Sequence, residues 1–443
     1  MSISLSDGLA TALQRIGLPA PEALERLSGG ANMESWRFTA GNETCVLRRA
    51  PSLEMMAGRP MDHAAEAALI RAARAAGVMA PEVLVELQPE DGIGSGYVMR
   101  ALSGSPDPNA FLAEADPHLA IRDIARELVA THHTECSGLP VPVMDTADAL
   151  AELRSRFMAY GGDRPILALA LRWLEANIPP PVTPSLVHGD FRLGNLMFEN
   201  GRVTGVLDWE LAHLGDWHED LAFGCMTVWR FSRPDRPGYG LTTVEELAAA
   251  YEEAGGAKFD PARFQFWTIY RTFWWALGCL QMGGFWRAGH DRSVERVVVA
   301  RRTAEQELDL LLLLEGLAPE EERHRPLAPA QVPLEPGSGE PSGAEILTAI
   351  SEWLNSEIKP LVSGRGKFDL AVARNALGIV AREIVQRPVA SDAALSADLL
   401  AGTVDLTTPG LLARLRRMAL DKLSADMPKY PALAAARVKW EGN

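Results

Sequence analysis

Hydrophobic and polar positions change their period along this chain. Over roughly the first hundred residues, short alternating runs predominate. Leu24–Ser28, Ser35–Thr39, Thr44–Arg48 and Gly96–Leu102 read as strands, and Gly41-Asn42 reads as a hairpin turn between the second and third. Asp62 opens a predicted helix that ends at Gly77, with Glu66, Leu69, Ile70 and Ala73 on one face. From about Pro108 the spacing becomes helical, broken by one hairpin: Leu196–Glu199 and Val203–Leu207 flank Asn200-Gly201, a two-residue turn. Phe264–Trp286 predicts a buried helix, because Arg271, Gln281 and glycines interrupt it as a membrane span. Ala318–Pro341, rich in Pro and Gly, reads as a linker. After it, Ser342-Gly343-Ala344-Glu345 forms a capping box. Ile346, Leu347, Ile350, Trp353, Leu354 and Ile358 then fall on one helical face. Further helical patterns cover 368–387, 391–402 and 409–423, so the tail reads as a separate all-α domain.

Composition narrows the function classes. The 443 residues carry a formal charge of −15, which repels a polyanion on average and argues against nucleic acid as the main ligand. Cys45, Cys136, Cys225 and Cys279 lie far apart with no metal-binding spacing, and the opening residues show no basic region followed by an apolar run, so no secretory signal is expected. Reduced thiols, a cytoplasmic location and no membrane association are the expectation. No lysine occurs before Lys258, so a phosphate contact in the first half must use arginine or backbone.

The segment with the most chemistry is Leu186-Val187-His188-Gly189-Asp190-Phe191-Arg192-Leu193-Gly194-Asn195, followed by the hairpin and then Asp208. With Asn200-Gly201 as the turn, Glu199 pairs with Arg202 and Asn195 is expected opposite Val206. Asn195 and Asp208 become diagonal neighbours on one face, roughly 7–8 Å apart at the backbone. Two oxygen-bearing side chains so placed can converge on magnesium, which takes few protein ligands and fills its other positions with water and phosphate. Asp190 is left to face a substrate hydroxyl. Phosphoryl transfer from ATP needs this set: charge neutralisation on the phosphates and a carboxylate that orients the attacking oxygen.

The string His188-Gly189-Asp190-x-x-x-x-Asn195, with Val206-Leu207-Asp208-Trp209-Glu210, resembles the aminoglycoside phosphotransferase and choline kinase family, small-molecule relatives of the protein kinases. The likeness spans roughly residues 20 to 315. It implies an α+β, bilobal protein-kinase-like fold: an N-terminal lobe over 1–102, a C-terminal lobe with the catalytic loop over 103–317, the linker 318–341, and the helical domain 342–443. It also implies Asp190 as catalytic base, Asn195 and Asp208 as magnesium ligands, and ATP with Mg2+ as the cofactors. The longer string Asp208 to Asp216 is similar to the kinase-like domain fused to acyl-CoA dehydrogenases in animals.

In kinase-like folds a helix glutamate holds a strand cation. Glu66 and Arg48 fill those positions here, with arginine where protein kinases use lysine and Arg49 as the alternative in register. Gly29-Gly30 could lay backbone N–H groups over the phosphates or could simply be a turn. By resemblance, Met99 and Ala101 belong to the hinge that touches adenine. His188 is expected to support the catalytic loop, and Asp216 and Asp220 to anchor backbone. The expected reaction moves the ATP γ-phosphate to a hydroxyl of a small molecule. The narrower resemblance points to a hydroxyacyl-CoA, for which Arg154, Arg156, Arg172 and Arg271 are available cations. The alternatives are an aminoglycoside or choline-type kinase, a non-catalytic nucleotide-binding scaffold, and a metal-dependent hydrolase using His188 and Asp190. The tail's apolar faces could dock on the kinase part, bind a partner or make a homodimer.

Overall fold

The computed structural model describes residues 3–27, 33–56, 58–330 and 340–442. The chain divides into two compact units, Met1–Asp145 with Pro180–Phe264, and Thr146–Pro179 with Gln265–Asn443.

The first unit is α+β. Its main sheet contains β1 (Glu22–Arg26), β2 (Glu34–Ala40), β3 (Glu43–Ala50), β4 (Val83–Glu86) and β5 (Ser95–Arg100), in the order β1-β2-β3-β5-β4. The neighbours pair antiparallel, and Gly41-Asn42 connects β2 to β3 as expected. β4 escapes the sequence pattern because it is too short, between Pro81 and Pro89, to show alternation. Leu9 and Leu13 of helix Leu5–Gln14 join Phe38, Leu47 and Val98 in one apolar cluster. The Asp62 carboxylate accepts the Ala65 N–H (2.8 Å) and starts helix His63–Ala75. That helix buries Glu66, Leu69, Ile70 and Ala73, the face read from the sequence.

The rest of this unit holds β6 (Ser185–Val187), β7 (Leu196–Glu199), β8 (Arg202–Val206) and β9 (His213–Gly215), with helices that include Pro117–His132, His218–Gly224 and Val244–Glu253. β6 pairs with β9, a second two-stranded ladder whose three-residue strands carry no readable pattern. β7 and β8 form the expected hairpin. Asn200 (φ +51°) and Gly201 (φ +69°) are both left-handed, as a type I′ turn requires. Its register departs from the expectation. Glu199 faces Arg202 and Phe198 faces Val203, but Met197 faces Gly205 and Leu196 faces Val206. Thr204 is therefore an extra residue in β8, a bulge that shifts everything beyond it by one position. Asn195 accordingly lies across from Leu207, whose N–H donates to the Asn195 carbonyl (2.8 Å).

The second unit is helical and unites Thr146–Ala159, Pro165–Ala176, Val294–Arg301 and Thr303–Leu314 with the tail helices Gly343–Trp353, Gly364–Gln386, Ala393–Ala401, Leu411–Asp426 and Pro431–Glu441. The tail is all-α as expected. However, the division expected at residues 102, 317 and 341 differs from the partition into units, and buried charge supplies the reason. Helix Thr303–Leu314 buries Glu305, Glu307 and Asp309, and a buried carboxylate needs a partner. Arg302 meets Glu305, Arg164 meets Glu307 (2.9 Å), and the tail's Tyr430 hydroxyl donates to Asp309 (2.6 Å). Just beyond the helix, Glu315 is gripped by Arg416, Lys439 and the Trp440 indole of the tail. Ile346, Ile350 and Trp353 stay exposed. Among the described residues no helix is long and apolar enough to cross a membrane, and all four cysteines are buried thiols.

Candidate active site

All the geometry here lies within the first unit. The turn from β6 into the catalytic segment is fastened by Asp220, a fully buried carboxylate on helix His218–Gly224. It accepts the backbone N–H of His188 (2.7 Å) and of Gly189 (2.9 Å) and faces His132 Nε2 (3.3 Å). Burial pushes its pKa up, but His132 and these donors outweigh burial and hold it below the ordinary value. Gly189 has φ +77°, and a Cβ there would collide with the Leu211 carbonyl oxygen, so the loop can pass only with glycine.

His188 Nδ1 accepts the Asp190 N–H (3.2 Å), so its proton is on Nε2, which donates to the Leu207 carbonyl (3.0 Å). Burial lowers its pKa and keeps the ring neutral. Both ring nitrogens are thus used to tie Asp190 to the end of β8, the supporting role read from the sequence. A hydrolase needing His188 as a metal ligand loses its ligand. The Asp190 carboxylate accepts from Arg192 Nε (2.9 Å) and Asn195 Nδ2 (2.6 Å), and Asn195 Nδ2 also reaches the Asp190 carbonyl (3.0 Å). Asp208 follows β8 with φ +67°, a conformation uncommon outside glycine. It turns the chain so that the acid meets β3.

On β3, Arg48 is the centre of a charge cluster. Its Nη2 lies 2.8 Å from both Asp208 Oδ1 and Glu210 Oε2, and its Nε lies 3.4 Å from Glu66 Oε1. Arg49 turns elsewhere, to Glu34 (2.8 Å) and the Ile93 carbonyl (2.9 Å). The register alternative therefore resolves to Arg48 as the arginine that meets Glu66 and Asp208. Burial opposes the Arg48 charge, but Glu66 and Asp208 outweigh it and push its pKa up. Glu66 accepts from the Tyr97 hydroxyl (3.0 Å), and burial lifts its pKa to about 6 against the pull of Arg48.

Arg48, Glu66, Asp190, Asn195 and Asp208 are thus linked through direct contacts and the His188 bridge. Met99 lies on β5 opposite Val46, and the Ala101 N–H is taken by the Thr44 carbonyl (2.9 Å). Gly29 and Gly30 lie outside the described residues. The four arginines expected for the acceptor belong to the second unit, where Arg154 pairs with Glu175 (2.6 Å) and Arg271 is buried over Trp274. Sequence reasoning missed Glu210 and Arg59, which meet at 3.1 Å. The spacing of Glu210, two residues after Asp208, was a usable signal. Arg59, in a loop between Gly58 and Pro60, gave none.

Asn195 and Asp208 offer an amide oxygen and a carboxylate, hard donors of the kind magnesium accepts. With Leu207 rather than Val206 across from Asn195, Asn195 and Asp208 are not the diagonal same-face pair expected; they remain the two residues flanking this hairpin that could hold a cation completed by water and phosphate oxygens. Two curated relatives are acyl-CoA dehydrogenase family member 10 of Mus musculus and family member 11 of Gallus gallus. The first is 28% identical over 256 residues, 52% of this chain and 24% of the relative. The second is 28% identical over 219 residues, 45% of this chain and 27% of the relative. The chain spans about a quarter of the length of these relatives. A crystal structure from Ralstonia eutropha JMP134, assigned as an aminoglycoside phosphotransferase, aligns with a TM-score of 0.56 at 20% identity over 70% of this chain and 98% of its own. That likeness shows the kinase-like fold. Residues 23–267, more than half of the sequence, match the phosphotransferase enzyme family, and the chain belongs to that family.

Proposed function

We propose that this phosphotransferase moves the γ-phosphate of ATP to a hydroxyl group of a small molecule, with a hydroxyacyl-CoA as the acceptor. The observation that carries the reading is the contact of Asn195 with Asp190 at one end of the loop–hairpin unit and of Arg48 with Asp208 at the other. Asp190 acts as the base. Arg192 and Asn195 fix its carboxylate, which points an oxygen at the acceptor hydroxyl and takes its proton as the oxygen bonds to the γ-phosphorus and the bridging oxygen leaves with ADP. Arg48, held by Glu66, supplies bidentate contacts to phosphate oxygens. Magnesium, held by Asn195 and Asp208, would neutralise phosphate charge. Gly29, Gly30 and the Met99–Ala101 hinge complete the nucleotide site in this reading. The hydroxyacyl-CoA rests on the names of the relatives, acyl-CoA dehydrogenase family members that this chain matches over about a quarter of their length.

The test is Asp190→Asn. It leaves the hydrogen-bonding shape in place and removes the proton acceptor, so turnover falls by about 10³ or more while Mg-ATP affinity is retained. Undiminished turnover would contradict the assignment. A screen of hydroxyacyl-CoAs, choline, aminoglycosides and sugars for ADP release identifies the acceptor, and release with aminoglycosides alone would overturn the hydroxyacyl-CoA reading.

A further inference from the structure

We propose that the segment from Trp229 to Gly240 is the recognition platform for an acceptor that carries phosphate groups. This rests on the phosphotransferase reading of the same site. The segment is fastened at both ends to the residues that follow Asp190. Arg192, which donates to Asp190, lies with its Cζ 4.5 Å from the Trp229 ring centroid. Tyr239, fully buried, reaches the carbonyl oxygens of Phe191 (3.3 Å) and Asp220 (3.1 Å) with its hydroxyl.

Three arginines lie between these anchors. Among the described residues, Arg230, Arg233 and Arg236 bond only to carbonyl oxygens. Arg230 reaches Cys225 (2.8 Å) and Pro234 (3.0 Å), Arg233 reaches Leu112 (2.6 Å) and Gly240 (3.5 Å), and Arg236 reaches Leu241 (3.4 Å). A carbonyl fixes a guanidinium without neutralising it. Arg48, Arg164 and Arg301 instead pair with carboxylates. Three guanidiniums held by carbonyls, in a segment whose one acid is Asp235 and whose first residue meets Arg192 of the Asp190 loop, suit an anionic acceptor, with guanidinium forks matched to phosphate oxygens. A polycationic acceptor would be repelled. The backbone of the segment is also held in an uncommon conformation: Phe231, Ser232 and Tyr239 have φ of +44°, +69° and +58°. Such angles persist only where the surroundings impose them, and they gather at ligand sites.

The experiment is calorimetric titration of the full chain with coenzyme A, which bears a diphosphate and a 3′-phosphate, and with pantetheine, which bears neither. Coenzyme A should bind at least about tenfold more tightly, the worth of one charge-assisted contact. Arg236 is exposed and makes only a long carbonyl bond, so Arg236→Glu should keep the wild-type melting temperature and lower coenzyme A affinity by about tenfold or more. Arg236→Lys should restore most of it. Equal affinity for the two probes, or equal affinity across the variants, would sink the proposal. Competitive displacement of coenzyme A by ATP would also overturn it, by assigning these arginines to the nucleotide. Asp190→Asn should bind coenzyme A like the wild type. If that variant kept its turnover, the catalytic assignment would fail while the platform stood.

Discussion

Replacing Glu66 with Gln separates two opposed effects of one buried proton. The Glu66 carboxyl is 4% exposed, and its pKa is lifted from the ordinary 4.5 to about 6. That difference corresponds to about 2 kcal/mol. Because the folded-state value lies above the unfolded one, the proton on Glu66 stabilises the fold in full below pH 4.5, and this contribution is lost as pH rises through about 6. Ionisation has the reverse effect on catalysis, since the carboxylate is what holds Arg48 Nε at 3.4 Å. In the wild type, therefore, use of ATP should rise through pH 6 while stability falls. In Glu66→Gln both trends should vanish. The difference in unfolding free energy between variant and wild type, measured by urea at pH 4.5 and pH 7.5, should move by about 2 kcal/mol in favour of the variant at the higher pH. Groups common to both proteins cancel in that difference. At pH 7.5 the variant's kcat/KM for ATP should be lower by about tenfold, the low end of what a close pair of opposite charges is worth. An acid limb near pH 6 that survives in the variant, or a stability difference independent of pH, would refute the reasoning.

Asp220→Ala leaves two backbone N–H groups and His132 buried without their acceptor, so it should cost about 3–5 kcal/mol, read as a lowered urea midpoint. Because the folded-state pKa of Asp220 is depressed, its stabilisation is complete above the unfolded value and is lost as pH falls through the folded one. Glu315→Ala strands Arg416, which is 5% exposed, and should destabilise the helical unit by about 3–5 kcal/mol in denaturant.

The sequence carried the hairpin and its turn because Asn-Gly between alternating runs has few other solutions. It also carried the caps at Asp62 and Ser342, both of which accept the N3 backbone N–H. The candidate site residues were readable because Asp190, Asn195 and Asp208 lie at short spacings within one local unit. The bulge at Thr204 was not readable: nothing in Arg202–Val206 marks which residue lacks a partner, and the choice is made by contacts such as the Thr204 hydroxyl donating to Ser103. Arg59 and Glu210 meet across 151 positions of sequence, and no periodicity encodes that encounter. The tail's membership in the larger helical unit was hidden for a related reason. A buried glutamate such as Glu315 reads as surface polarity until its partners at Arg416 and Lys439 are seen.

The helical unit is built from two stretches separated by Pro180–Phe264, and this orders events during synthesis. Helix Pro165–Ala176, with Leu167, Leu171 and Leu174 fully buried in the finished protein, leaves the ribosome long before the helices that cover it. At roughly 5–20 residues per second, translation takes tens of seconds to reach them. The phosphotransferase unit, whose last residue is Phe264, can close first. During that interval the leucine-rich helix is a natural client for a chaperone, and a stalled or truncated product would present it as a degradation signal.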